Sequence, residues 1–171
     1  MYNPFRIAFL LLALAANTAL AQQSIVYTVD PWASKAPANS FQWGVTAPNT
    51  PATTGASGKL TLSDASLTIP LGDLAVQFTQ AAMRATHLPM VLIEFPLRGA
   101  KPSDPAPFAI RLTEVYVTSV TLAKSGDGGP GTAEIKLKAA RIEMYGSKQD
   151  PTGRITPAAK AGFDARAMKA Y

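Results

Sequence analysis

The strongest constraint on the fold is a pair of alternating segments, Phe108–Lys124 and Ala133–Tyr145, joined by the glycine-rich stretch Ser125–Gly131. Apolar residues at every second position predict strands with one buried face, and the glycines between the segments predict a hairpin loop. The parity of the apolar positions changes within each segment, so that Ile110 and Val115 fall on opposite faces of a regular strand. Such changes indicate β-bulges, which bend and twist long strands. Long bent strands favour a closed or nearly closed barrel, and the chain is predicted to be mainly all-β.

Shorter strand patterns lie on both sides of this hairpin. The segment Met90–Leu97 is apolar on both faces, as expected for a strand that is covered on both sides by the helix or by a neighbouring subunit. Other strands are predicted over Ile25–Val29, Ser40–Thr46, Lys59–Pro70 and Ala161–Ala165, whereas Asp30–Asn39, Ala47–Gly58 and Gly146–Pro157 are predicted as turn-rich or loop segments.

One helix is predicted, over Asp73–Thr86. Leu74 and Phe78 begin an apolar stripe with the spacing of a helix that buries one face. Asp73 is a residue type favoured at the N-cap, and it is predicted to cap the helix. His87 follows directly, and a histidine beside a helix C-terminus most often serves packing or capping.

The N-terminal end of the sequence has the three regions of a cleavable export signal. Arg6 supplies positive charge, and Ile7–Ala16 is an uncharged apolar run. Small residues at Ala19 and Ala21 predict cleavage between Ala21 and Gln22. The alternative is a membrane anchor, which needs about 20 apolar residues, roughly twice the length of this run. We therefore expect export to the periplasm or beyond the cell, without membrane insertion of the mature chain.

The predicted organisation is a signal peptide over 1–21 and a single domain over 22–171. The sequence has no cysteine, which excludes disulfides, thiolate zinc sites and cysteine nucleophiles. Its formal net charge of +5 is spread along the chain, without a cluster typical of nucleic-acid binding. The single histidine, His87, is accompanied by no nucleophile motif or metal-binding partner. The chain is therefore not predicted to be an enzyme, and neither a cofactor nor a metal is expected.

Four basic residues form one further candidate site. Lys136 and Lys138 share a strand face, Arg141 follows on the same strand, and Arg111 lies on its expected partner strand. The simplest interpretation is a solvated face on which lysines discourage edge pairing. The alternative hypothesis is a positive lining of an enclosed lumen that faces a cargo or a partner.

Six segments carry motifs in a characteristic order, and these are Ser40–Gly44 (SFQWG), Gly58–Asp64, Thr86–Phe95, Ile110–Val120, Glu134–Tyr145 and Ala161–Asp164. Their order and spacing resemble the haemolysin-coregulated protein (Hcp) family, the inner-tube proteins of type VI secretion. Phe163 stands where the family usually has tryptophan. The resemblance covers roughly residues 40–165.

The resemblance implies a compact β-barrel of two antiparallel sheets with one short helix, and a structural protein without enzymatic activity. Members of this family form hexameric rings that stack into a tube whose lumen can carry effectors. Partners would therefore be further copies of the chain, secreted effectors or other type VI components. The contact residues suggested by the resemblance, for ring formation or ring stacking, are Thr46, Asn49, Thr53, Gly55, Ser57, Met90 and Leu92.

Two functions remain open from the sequence. Tube subunits of this family assemble in the cytoplasm, whereas the signal at 1–21 predicts export. The chain is either a ring-forming subunit that resembles the tube protein, or an exported β-barrel binding module that acts outside the cytoplasm without forming a tube.

Overall fold

The computed structural model describes residues 25–46, 61–97, 104–124, 126, 128–152, 154–167 and 169–171. Over these residues the chain is mostly strand with one helix, as predicted. The elements are β1 (Ile25–Asp30), β2 (Ala33–Ala38), β3 (Ser40–Gln42), β4 (Val45–Thr46), β5 (Thr61–Leu62), β6 (Ala65–Pro70), α1 (Asp73–Arg84), β7 (His87–Phe95), β8 (Phe108–Ala123), β9 (Thr132–Gln149), β10 (Ile155–Asp164) and β11 (Lys169–Ala170).

The larger of two sheets is antiparallel and curls around the core. Its main order is β11-β10-β9-β8-β7-β1-β2, while β6 pairs with β9 and β3 pairs with β6. Asn39 alone separates β2 from β3, and its backbone N–H donates to the carbonyl of Thr68 in β6 at 2.8 Å. Strand pairing thus runs from β2 through β1, β7, β8, β9 and β6 to β3, and the chain itself connects β3 back to β2 through Asn39. The second sheet contains only β4 and β5.

One set of the apolar parity changes corresponds to a crease across the sheet, defined here by Pro89, Glu114 and Ala140. The register places these residues side by side on β7, β8 and β9. Glu114 has a positive φ of 56°, a conformation that is uncommon outside glycine. The buried face changes parity here on each strand, from Leu88 to Val91, from Leu112 to Val115 and from Leu137 to Ile142.

A second irregularity lies further along β8. The register between β8 and β9 shifts at Thr118, which is the signature of a β-bulge. The Thr118 hydroxyl lies 3.0 Å from a carboxylate oxygen of Asp64 and 3.2 Å from the carbonyl of Lys136. The predicted bending of the long strands is thus confirmed.

The helix covers the core on one side through Phe78, which is 0% exposed. The ring of Phe78 lies 6.3 Å from the ring of Tyr27 and 5.4 Å from that of Trp32, with an edge-on arrangement to Trp32. Burial raises the pKa of Tyr27 to about 12, with a smaller contribution from the charge of Asp73. The sheet contributes the rest of the core, in which the largest fully buried side chains include Leu67, Ile69, Leu88, Ile93, Leu112, Ile135 and Leu137.

Three local predictions are wrong. Asp30–Asn39 contains strand β2, because its pairing with β1 has a larger effect than its turn-rich composition. Pro37 lies within β2 beside β1 and is tolerated there. Gly146–Pro157 contains the end of β9 and the start of β10, which close a hairpin from Gln149 to Ile155. Asp73 does not cap α1: Gly72 is the N-cap, without a side-chain hydrogen bond, and Asp73 lies in the first turn.

Two predicted strands are each divided in two. Ser40–Thr46 contains β3 and β4, and Lys59–Pro70 contains β5 and β6 within its described part. Ser63 stabilises this division, because its hydroxyl accepts from the backbone N–H of Gly44 at 2.9 Å and donates to the Gly44 carbonyl at 3.1 Å. The predicted loop Ala47–Gly58 lies outside the described residues.

Candidate assembly surface

Met90 and Leu92 lie on the outer face of β7. Val91 lies between these two residues and Ile93 follows Leu92, and both of these side chains are 0% exposed and point into the core. Because side chains alternate along a strand, those of Met90 and Leu92 point outward. Both are half-buried. Leu92 stands opposite Arg111 on β8 and Thr28 on β1. The structure thus brings a predicted subunit contact and a predicted basic residue together on one sheet face.

Next to Arg111 on this face lies a cluster of charged and aromatic side chains around Glu143, here called the Glu143 cluster. One carboxylate oxygen lies 2.8 Å from Lys160 Nζ and accepts a hydrogen bond of 3.3 Å from the Tyr171 hydroxyl. The other accepts a hydrogen bond of 2.6 Å from the Tyr145 hydroxyl and lies 3.7 Å from Arg111 Nη1. Lys160 also lies over the rings of Tyr145 and Tyr171, at 5.5 and 5.7 Å.

The electrostatics of the Glu143 cluster favour an ionised carboxylate. The hydrogen bond from Lys160, followed by that from Tyr145, holds the pKa of Glu143 below its ordinary value. The same bond to Glu143 raises the pKa of Lys160, and burial is the main cause of the raised pKa of Tyr145. A carboxylate so strongly stabilised is a poor proton donor near neutral pH. The arrangement therefore ties β8, β9, β10 and the C-terminal residue together.

This cluster predicts a loss of stability in acid. Because the folded pKa of Glu143 is lowered, its stabilisation is present above the ordinary pKa of 4.5 and is lost as pH falls from there through the lowered value. Glu143→Gln removes the titrating group, so the difference in Tm between wild type and variant should shrink between pH 6 and pH values below 4.5. Thermal unfolding followed by circular dichroism measures this difference. A difference that stays constant over the whole range would contradict the prediction.

The C-terminal strand completes the same face. Gly162 and Tyr171 exchange backbone hydrogen bonds of 2.8 and 2.9 Å. A Cβ atom on Gly162 would lie 2.5 Å from the Tyr171 ring, so the glycine allows the ring to lie against the sheet. Asp164 accepts from the Arg141 Nε–H at 3.0 Å and from the backbone N–H groups of Arg166 and Ala167. The backbone bond from Ala167, then the Arg141 side chain and then the backbone bond from Arg166 lower the pKa of Asp164.

The four predicted basic residues do not form one free positive face. Arg111 and Arg141 each lie beside a carboxylate, Glu143 and Asp164 respectively. Lys136 and Lys138 lie on the other side of the crease, both exposed. Within the described part of the chain neither lysine lies within 4.0 Å of a carboxylate oxygen. Of these four basic residues, only the two lysines therefore carry a charge without a carboxylate partner among the described residues.

His87 lies at the crease. Its Nε2 is 3.0 Å from Glu114 Oε2, and Arg166 Nη2 lies 3.3 Å from the same oxygen. The distance from His87 suits an ion pair, but the ring nitrogen has no aligned hydrogen bond. The Tyr116 ring lies 5.3 Å away. These contacts link the start of β7, the bend of β8 and the turn after β10. His87 therefore helps to hold these three parts of the fold together.

The remaining predicted site residues are only partly described. Thr46 is exposed in β4 and pairs with Thr61. Ala21, Gln22, Asn49, Thr53, Gly55 and Ser57 lie outside the described residues. Among the described residues, no group of three His, Asp or Glu side chains is arranged to hold a metal ion.

The sequence patterns did not predict the Glu143 cluster. Glu143 and Tyr145 stand two apart on one strand and therefore share a face, which was a signal available in the sequence. Lys160 lies on β10 and Tyr171 follows β11. Only the register of β9 with β10 and the backbone bonds between Gly162 and Tyr171 bring them to Glu143.

No helix among the described residues is long and apolar enough to span a membrane. Comparison with solved structures gives matches that cover nearly all of the other chain. A type six secretion system protein has a TM-score of 0.74 and 16% identity, with 86% of this chain and 99% of that chain covered. Hcp1 from Salmonella typhimurium has a TM-score of 0.66 and 15% identity, with 86% and 98% covered. The secreted protein Hcp3 from Pseudomonas aeruginosa has a TM-score of 0.55 and 9% identity, with 82% and 95% covered.

These structural matches show a shared fold. No curated protein matches the sequence. The family model described as "Type VI secretion system effector, Hcp" matches residues 31–145. Because that match spans well over half of the sequence, the chain belongs to the Hcp family of type VI secretion proteins.

Proposed function

We propose that this chain forms hexameric rings that resemble those of the type VI secretion tube, and that Met90 and Leu92 lie in the contact between subunits. The observation that carries the proposal is this apolar pair, half-buried on the outer face of a core strand. Arg111 beside Leu92 and Asp30 beside Met90 provide charged neighbours. An apolar centre with a charged surround is typical of subunit interfaces. A second subunit would supply the cover expected over the outer face of β7.

Stacking of the rings is the second part of the proposal. Val45 of β4 pairs with Leu62 of β5, and the hydrogen bonds of Ser63 with Gly44 hold these two strands together. Thr46 is exposed at the end of β4, and Asn49, Thr53, Gly55 and Ser57 follow in the sequence. We propose these residues as contacts with the next ring.

Lys136 and Lys138 support a role in carrying effectors. Both are exposed and lie on one face of β9, where an acidic protein surface would find unpaired positive charge. In a ring that places this face toward the lumen, the two lysines would contact an acidic cargo. Arg111 and Arg141 would contribute less, because carboxylates already neutralise them.

Leu92→Arg tests the ring. A guanidinium in the apolar centre of the contact would be desolvated without a partner, so the variant is expected to elute as a monomer where the unaltered chain elutes as a hexamer. Light scattering coupled to size exclusion measures the mass at several concentrations. The matched control is Leu122→Arg, since Leu122 is 58% exposed at the far end of β8 and should leave the hexamer intact.

Two outcomes would contradict this proposal. A strictly monomeric unaltered chain at the highest attainable concentration would count against the ring itself. If the Leu92→Arg variant remains hexameric while the Leu122→Arg variant dissociates, the chain forms a ring but the contact between subunits lies elsewhere.

The second candidate function is that of an exported binding module, and the signal-like stretch at 1–21 favours it. Cleavage between Ala21 and Gln22 would leave a mature chain that begins at Gln22 in a periplasmic fraction. Intact-mass measurement of the protein from fractionated cells tests this directly. A chain found only in the cytoplasm, with residues 1–21 absent or uncleaved, would contradict export and favour the tube subunit.

A further inference from the structure

A polar groove lies between α1 and the turn that joins β1 to β2. Its volume is about 370 Å³, within the range of roughly 300–1,000 Å³ usual for sites that bind small molecules. Gln77, Ala81 and Arg84 share one face of the helix, because positions three and four apart are neighbours. Trp32 forms the facing wall, and the full lining is Trp32, Gln77, Gln80, Ala81, Arg84 and Thr86.

The walls of the groove are fixed by the core. Trp32 packs edge-on against Phe78, with ring centroids 5.4 Å apart and an angle of 77° between the planes. Phe78 is itself fully buried, and Ala81 is 2% exposed. The small Ala81 side chain leaves space between its larger neighbours Gln77 and Arg84. The indole is therefore held in place before a ligand arrives, which reduces the entropy cost of binding.

The polar groups of the groove are not used by the protein. Over the described residues, the side chains of Gln77, Gln80 and Arg84 take part in no hydrogen bond or ion pair. The two amides offer both donors and acceptors, and the guanidinium offers only donors. The lining includes no carboxylate, so a cationic ligand would meet Arg84 without a compensating charge.

We propose that this groove binds a sugar unit of a glycan chain. The flat indole of Trp32 can stack on the apolar C–H face of a sugar ring, as aromatic side chains contribute large rigid contact areas. The amides of Gln77 and Gln80 can pair with neighbouring hydroxyls as donor and acceptor at once. Arg84 can donate to further ring substituents, including an N-acetyl carbonyl. The groove is on a different element from Met90 and Leu92, and the inference does not depend on ring formation.

Tryptophan fluorescence tests this directly, because the sequence has two tryptophans, Trp32 and Trp43. Trp43→Phe leaves Trp32 as the only reporter in the otherwise full chain. Titration with N-acetylglucosamine tetrasaccharide, and separately with cellotetraose, is expected to give a saturable change with at least one probe, at a Kd of about 10 μM to 1 mM. If Trp43→Phe does not fold, calorimetry on the unaltered chain gives the same measurement.

Variants locate the binding. Gln80→Ala combined with Arg84→Ala should weaken binding at least tenfold, which is about 1.4 kcal/mol. Val76→Ala is the matched control on the same helix, because Val76 is exposed outside the groove, and it should leave the Kd unchanged. Absence of saturable binding of both sugars up to about 10 mM, far above the expected Kd, would overturn the proposal. Equal binding by the double variant, or tighter binding of tetraglycine than of either sugar, would also overturn it.

Discussion

Phe78→Ala is expected to lower the free energy of unfolding by about 3–5 kcal/mol, the range measured when a buried phenylalanine is replaced by alanine. Phe78 is the side chain by which α1 reaches the centre of the core, and it is 0% exposed. Its loss removes apolar burial and leaves a cavity beside Tyr27 and Trp32, whose rings pack against it. Equilibrium urea unfolding monitored by circular dichroism measures the change.

Val76→Ala is the control for this prediction. Val76 lies on the same helix with 57% exposure, so its truncation should change stability by less than about 0.5 kcal/mol. A loss below about 1 kcal/mol for Phe78→Ala, far less than such a cavity costs, would show that the helix does not seal the core. Because Trp32 rests on Phe78, the variant should also weaken the proposed glycan binding in the groove, even where the protein remains folded.

Glu143→Lys is expected to lower the free energy of unfolding by about 2 kcal/mol. This figure corresponds to the one partly buried hydrogen bond, that from the Tyr145 hydroxyl, since a hydrogen bond to a charged group contributes roughly 1.5–3 kcal/mol. Lys160 and Arg111 add nothing to the figure, because both are about half exposed and screened by solvent. The new ammonium group would stand beside both cations and leave the hydroxyls of Tyr145 and Tyr171 without their acceptor. Chemical denaturation at neutral pH measures the loss.

The same variant should release the C-terminal strand. Hydrogen exchange of the Tyr171 amide, which donates to the Gly162 carbonyl at 2.9 Å, is expected to become faster in Glu143→Lys. Glu134→Lys is the matched control, because Glu134 is exposed and accepts a bond only from Ser66 within the described residues. If both charge reversals cost the same, the Glu143 cluster is an ordinary solvated surface and the prediction is wrong.

Local periodicity was sufficient to predict several elements of this fold. The alternation in Phe108–Lys124 and Ala133–Tyr145 predicted a long hairpin, and β8 and β9 form it. The apolar stripe from Leu74 predicted a helix, which runs from Asp73 to Arg84. These predictions succeed because a strand or helix that buries one face repeats its apolar residues at the period of its own backbone.

Composition was a poor guide where strand pairing decided the structure. Asp30–Asn39 and Gly146–Pro157 are rich in turn-forming residues, yet each contributes residues that pair with a neighbouring strand. Backbone groups gain hydrogen bonds from that neighbour whatever their side chains prefer. Turn-forming residues therefore located the ends of the hairpins correctly, but the loops predicted from them were too long.

The parity changes inside the long strands could be found from the sequence, but their alignment into one crease could not. Pro89, Glu114 and Ala140 meet because the register of three strands places them at one level. The same register joins Glu143 to Lys160 and sets Arg111 beside Leu92. By itself the sequence determined the strand periods, the helix and the resemblance to the Hcp family, since all of these depend on residues close along the chain. The tertiary structure alone decided which charges are neutralised, which apolar residues face outward and where Trp32 meets α1, because those contacts join residues far apart in the sequence.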